Sequence, residues 1–226
     1  VRRRGTLPRR VSESPAVWAG VDPQSGGTWL GLNEHALVVA LTDRPTPDYE
    51  PRRRSRGLLC VEALRHRSAE DVTRFVESEW APGRYNNFNI LAADPAAAFV
   101  VHAGGRLETV RLAPGLHVLS NTTVDDAQVR KLRRAKSLFE APPAPAGVDE
   151  AVERMKHVCA DEEPGCPPPE RICVRGRDFA TLSSSIIALS AHGVRSSRYL
   201  HLMGLPAEGR YEDCSHLLRG EGGVEQ

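Results

Sequence analysis

Gly26–Asp43 reads GGTWLGLNEHALVVALTD, and its pattern predicts two strands around a tight turn. Thr28–Leu32 is the first predicted strand, Asn33–His35 the turn and Ala36–Thr42 the second strand. A continuous apolar run with β-branched residues suits a strand buried on both faces. The first strand opens on Gly26-Gly27, which lets the backbone turn sharply or approach another group closely. It carries one large aromatic, Trp29. It gives way to Asn33, which tolerates a turn and offers both a donor and an acceptor. A core hairpin with an amide at its tip is a reasonable place for a site.

Outward from the hairpin, the chain alternates blocks of strands and helices. Upstream, Val1–Arg10 is basic and without apolar periodicity, and residues 1–14 read as a flexible arm. Val17–Val21 is a short apolar piece leading into the hairpin. Downstream, Arg44–Arg56 reads as a Pro/Arg loop with a solvated Arg52–Arg54 run. Gly57–Arg65 and Ala69–Trp80 read as helices. Ser68 caps the second, and Val72, Phe75, Val76 and Trp80 form its buried stripe. Strands are predicted at Asn87–Ala93, Ala97–Ala103, Arg106–Leu112 and His117–Asn121. His102 reads as a half-buried strand residue.

Asp125–Phe139 reads as a basic amphipathic helix and Val148–Cys159 as another, separated by a Pro-rich loop at 141–147. A second Pro-rich loop covers 161–169. Short and long strands follow at Arg171–Val174, Phe179–Ser190 and Arg198–Met203. A short helix lies near Asp213–Leu218, and 220–226 reads as a flexible tail. Hairpin signals make the sheets mostly antiparallel, and helices come in two blocks. The predicted fold is one α+β domain, a four-layer αββα sandwich of two stacked sheets.

Composition narrows function by exclusion. The 226 residues are 40% hydrophobic and 26% charged, with a formal net charge of +1. That balance gives no general argument for nucleic acid or for an anionic membrane. No apolar run approaches the ~20 residues of a membrane span. Five cysteines without a framework spacing read as free thiols in a reducing cytoplasm. No CxxC zinc pattern, GxGxxG, Walker A, HExxH or GxSxG motif occurs, so no metal and no cofactor are expected.

Four blocks carry a resemblance. AGVDPQSGGTWLGLNEHALVVALTDRP (Ala19–Pro45), YNNFNILAAD (Tyr85–Asp94), GLHVLSNTTVDD (Gly115–Asp126) and RICVRGRDFATLSSSIIAL (Arg171–Leu189) resemble, in order, the conserved blocks of the Asn-Arg-Asp-Glu (NRDE) family. That family includes the transport-and-Golgi-organisation proteins. GGTWLG is the most specific piece. The resemblance implies an N-terminal-nucleophile hydrolase fold, in which a cysteine at residue one attacks an amide or acyl carbonyl. Here the Met-Cys start and the tetrad are absent, so the nucleophile is expected to lie outside this chain.

The resemblance implies oxyanion and substrate-orienting roles for Asn33 and Asn121, with Trp29, Ser183 and Ser184 contacting a small-molecule substrate. Leu182 stands where some members carry Arg, and Phe179-Ala180 departs from the usual Gly pairing. Three readings follow: a cysteine-type amide hydrolase or acyltransferase, a non-catalytic carrier for haem or acyl-lipid, and an inactive truncated product. Haem is implied by the resemblance only. His35, His117 and His192 are the histidines to test for it.

Overall fold

The computed structural model describes residues 5–141, 143–176 and 179–220. Seven strands follow one another in chain order across the larger sheet: β1 (Arg9–Glu13), β2 (Ala16–Ala19), β3 (Leu30–Asn33), β4 (Val38–Asp43), β5 (Phe88–Ala93), β6 (Ala98–Ala103) and β7 (Leu107–Leu112). Every neighbouring pair is antiparallel. A smaller antiparallel sheet has the order β10 (Glu212–Asp213), β9 (Arg198–Met203), β8 (Ser183–Ala188).

Side-chain alternation along each strand builds the layers. In β4, Val39 and Leu41 face helices α1 (Arg56–Ala63) and α2 (Ala69–Glu79) with Phe88 and Ile90 of β5. Trp18, Leu32 and Val38 face the other way and pack against Ile187 and Tyr199 of the smaller sheet. Ile186 and Leu200 on that sheet's far side meet Val152 of α4 (Val148–Cys159). Helix α3 (Arg130–Glu140) packs on α4, and α5 (Ser215–Arg219) lies beside β9. The order is helices, sheet, sheet, helices: the expected αββα sandwich, with sheets of unequal size. No helix among the described residues is long and apolar enough to cross a membrane.

The GGTWLG block has a steric cause. Gly26 takes a left-handed φ of +69°, and a Cβ on Gly27 would lie 2.6 Å from the backbone carbon of Gly57. Thr28 N donates to Gly57 O at 3.1 Å. The first turn of α1 therefore rests directly on the hairpin backbone. A Cβ on Gly31 would sit 2.4 Å from Leu64 Cδ1, so the helix stays close along the whole strand. The loop before Gly26 is held by Asp22, whose carboxylate accepts from Gln24 N and Ser25 Oγ.

Several predicted elements differ. Residues 9–13 of the expected arm form edge strand β1, because Val11 packs on the core under α1 and α2; residues 1–4 and 221–226 lie outside the described residues. His117–Asn121 is not a strand. Its backbone is bonded by side chains instead: Asn89 Nδ2 donates to Ser120 O (3.0 Å) and Thr122 O (2.9 Å), and Thr42 Oγ1 to Ser120 O (2.6 Å). The helix predicted from Asp125 begins at Arg130, because Asp125 adopts a left-handed φ of 57° and binds back to Val118 N.

Arg171–Val174 is not a strand either, since Cys173 N donates to Asp161 O and Val174 N to Thr181 Oγ1. The strand predicted over Phe179–Ser190 is confined to Ser183–Ala188. His102 is buried, not half-buried. Arg54 is not solvated surface: it pairs with Glu62 (2.6 Å) and Glu79 (3.1 Å) and meets the Tyr85 hydroxyl.

Gly27→Ala is expected to lower stability by about 2 kcal/mol or more, the overpacking cost where backbone rather than a flexible side chain must move. Gly104→Ala, where a Cβ meets nothing within 4 Å, is expected to be near neutral. Urea denaturation of the two variants checks the contrast.

Candidate functional site

Where β3 begins, the two sheets do not close on each other. A cleft of about 380 Å³ opens between the start of the hairpin and β8. One wall is Trp29, 40% exposed, with Thr28 and Leu30 beside it. The opposite wall is Thr181–Ser185, and Tyr199 and His201 of β9 also line it. Gly5 and Thr6 complete the rim, with Gly5 against the Trp29 ring. No Asp, Glu, Lys or Arg stands among the described residues lining it.

The register explains which groups face in. Ser183, Ser185 and Ile187 alternate with Ser184 and Ile186, and Ser185 pairs with His201 across the β8–β9 ladder. Ser185 Oγ lies 2.9 Å from His201 Nδ1. Ile187 and Tyr199 are on the side toward the larger sheet, so Ser185 and His201 are too. Burial lowers the His201 pKa, with Glu212 opposing weakly, and keeps the ring neutral near pH 7. Burial pushes the Tyr199 phenol up to about 12, so it stays protonated.

The five site residues expected from sequence separate into groups. Trp29 and Ser183 both line the cleft. Ser184 also borders it, but its hydroxyl accepts from Tyr211 Oη (2.6 Å) on the α4 side. Asn33 faces α1 and is fully buried. Its Nδ2 donates to Leu64 O (2.9 Å) and His66 O (2.7 Å), and its Oδ1 accepts from His35 N (2.9 Å) and Leu37 N (3.2 Å). Both donors are used within the protein, as the turn and the helix end require. Asn121 is exposed and donates to Asp43 O (2.8 Å) at the other end of β4. Asn33 N pairs with Leu37 O, and Leu37 to Asp43 is about 20 Å of extended strand at ~3.3 Å per residue. The two amides therefore do not converge on one oxyanion.

Sequence reasoning missed Asn89, His201 and Ser185. Thr42, Asn89 and His102 stand in one row across β4, β5 and β6. Asn89 Oδ1 accepts from His102 Nδ1 (2.7 Å) and Arg44 (3.0 Å), and Val124 N donates to His102 Nε2 (3.4 Å). This polar row fixes the loop that carries Asn121. Alternation in FNILAA was the available signal, since it puts Asn89 opposite the core-facing Phe88 and Ile90.

None of the histidines considered for haem lines the cleft. His35 sits on the hairpin turn near Glu34, and His192 on the turn after β8. His117 donates from Nδ1 to Asp125 Oδ2 (2.6 Å) and from Nε2 to Ala113 O (2.8 Å). The thiols also stand elsewhere. Cys60, Cys166 and Cys173 are buried and Cys159 and Cys214 half-buried, and burial pushes Cys60 up to about 12.

Two stacked antiparallel sheets under outer helices, open between the sheets at one end, define an α+β sandwich with a ligand-sized cleft. The chain matches the Transport and Golgi organisation 2 family over residues 1–203 and belongs to it; this is the NRDE family of the resemblance under another name. The bovine Transport and Golgi organization protein 2 homolog is 30% identical over 232 residues, covering 90% of this chain and 83% of its own. The mouse homolog is 30% identical over 210 residues, covering 78% and 74%. The human homolog is 28% identical over 206 residues, with the same coverage.

The His117–Asp125 pair gives a pH prediction. Its hydrogen bonds raise the His117 pKa, so that contribution is complete below the unfolded value and lost as pH rises through the higher native one. The Asp125 pKa is lowered in the folded chain: burial opposes the shift, but bonds from His117, Val118 N and Lys136 outweigh it. Its contribution is complete above the unfolded carboxyl value and lost as pH falls through the native one. The loop anchor is strongest between about pH 4 and 6.5, the two ordinary values. His117→Gln is expected to destabilise most near pH 5.5 and progressively less above about pH 7, as urea midpoints of both proteins across pH would show.

Proposed function

We propose that this protein binds a small organic molecule in the cleft between its sheets, acting as a carrier or binding protein. One observation carries the reading. GGTWLG, the block that most specifically marks the family resemblance, supplies one wall of the cleft through Thr28 and Trp29. Its glycines bring α1 against the hairpin, and its tryptophan is left at the opening. A large aromatic 40% exposed beside hydroxyl-bearing walls suits a ligand with one apolar face and a few polar atoms. Trp29 and Ser183 are the contact residues in this reading, with Ser184 contributing main chain. Free thiols, three of them buried, favour a reducing compartment such as the cytoplasm.

Amide hydrolysis or acyl transfer is the second reading, and one observation favours it. Gly5 and Thr6 form part of the cleft rim, and this reading puts the carbonyl attacked by an upstream nucleophile in the same cleft. No cysteine among the described residues lines the cleft, and a thioester route needs one there. Asn121 would serve this reading only by releasing Asp43 O. Asn33 would have to release Leu64 O and His66 O.

Native mass spectrometry of the full chain isolated from its own cells separates the readings. A copurifying small molecule that Trp29→Ala loses, at unchanged thermal stability, is the expected result. Release of a free acid from added acylated amides, lost in the same variant, would instead establish turnover. Retention of the molecule by Trp29→Ala would move the site elsewhere.

A further inference from the structure

His201 carries an unanswered hydrogen-bonding group. Its side chain is 6% exposed, yet it lines the cleft. Nε2 is buried without a partner, alone in this among the side-chain nitrogens and oxygens of the described residues. Buried polar atoms are normally paired, and leaving one unmade is costly. A ligand atom in the cleft would answer it.

The other ring nitrogen decides what kind of atom. Nδ1 lies 2.9 Å from Ser185 Oγ, a hydroxyl able to donate to it. Ser185 Oγ–H donating to His201 Nδ1 makes that nitrogen the acceptor. The neutral ring then carries its proton on Nε2. In that tautomer His201 Nε2 is an N–H donor for which the protein supplies no acceptor.

The walls narrow the ligand further. No charged side chain lines the cleft among the described residues, so a carboxylate would be buried without a counter-charge and an ammonium would face a donor. Both are disfavoured. Trp29 and Leu30 offer a flat apolar surface beside the polar base. Resting on the cleft as the ligand site, we propose that His201 Nε2–H anchors an uncharged carbonyl oxygen, of an amide or ester, whose attached flat apolar group lies on Trp29. Ser185 is the positioning residue that holds the tautomer.

The test uses the full chain labelled with ¹⁵N and three probes of similar size: acetanilide, benzoate and benzylammonium. Long-range ¹H–¹⁵N spectra near pH ~7.5 read the His201 tautomer directly, since a neutral ring keeps one of the two patterns there. Nε2 protonation is expected, and a proton on Nδ1 overturns the proposal. Acetanilide is expected to shift both the Trp29 indole and the His201 Nε2 signals, with the charged probes binding about tenfold or more weakly. His201→Phe is expected to weaken acetanilide about tenfold, the worth of one buried hydrogen bond, while His201→Gln retains most affinity.

If acetanilide moves Trp29 equally well in His201→Phe, the anchor is wrong and the cleft reading stands. If benzoate binds tightest, the uncharged class is wrong. If no probe moves Trp29, the cleft reading and the anchor fall together.

Discussion

The contact between Gly27 and Gly57 sets much else in the molecule. Two backbones meet there with no room for a Cβ, so α1 starts on top of the hairpin instead of beside it. Gly31 extends the approach to Leu64 at the far end of the helix. With the helix so close, β3 can bury Leu32 against the smaller sheet on its other face. Trp29 is left at the strand's start, where the sheets diverge. A steric requirement for glycine in the outer layer thus determines what stands at the opening in the middle.

Two buried asparagines then hold the irregular parts. Asn33 uses both donors and both acceptor lone pairs to join the hairpin turn to the end of α1. Asn89 joins the central strands to the loop at 120–122. Each satisfies backbone groups that have no ladder partner, and each would leave several buried groups unmade if lost. The chain fastens its loops with amides because those loops cross ends of the sheet where strands stop.

The layer order and the hairpin could be read from sequence because both rest on periodicity. LVVALT alternates between two apolar faces, and the α2 stripe repeats at helical spacing, so β4 and α2 fall within a residue or two of expectation. The 117–125 loop could not be read so. HVLSN has strand-like composition, but Thr42 and Asn89, distant in sequence, capture its carbonyls. Edge strand β1 was hidden by its arginines, which face solvent while Val11 alone reaches the core. The lining of the candidate cleft was half legible. Trp29 and Ser183 stood out by their motifs, whereas Ser185 and His201 become neighbours only through the β8–β9 register. Asn33 and Asn121 looked equivalent as asparagines after apolar runs, but one is buried on the helix side and the other exposed at the opposite strand end.

The unequal sheets explain why the cleft lies where it does. Three strands cannot cover seven, and the smaller sheet ends at β8 alongside the start of the hairpin. A crystal structure of the full chain grown with acetanilide tests this account most directly. Density between Trp29 and β8, with the carbonyl oxygen within hydrogen-bond distance of His201 Nε2, is the predicted result. An empty cleft at saturating probe, or density on another face, would contradict it.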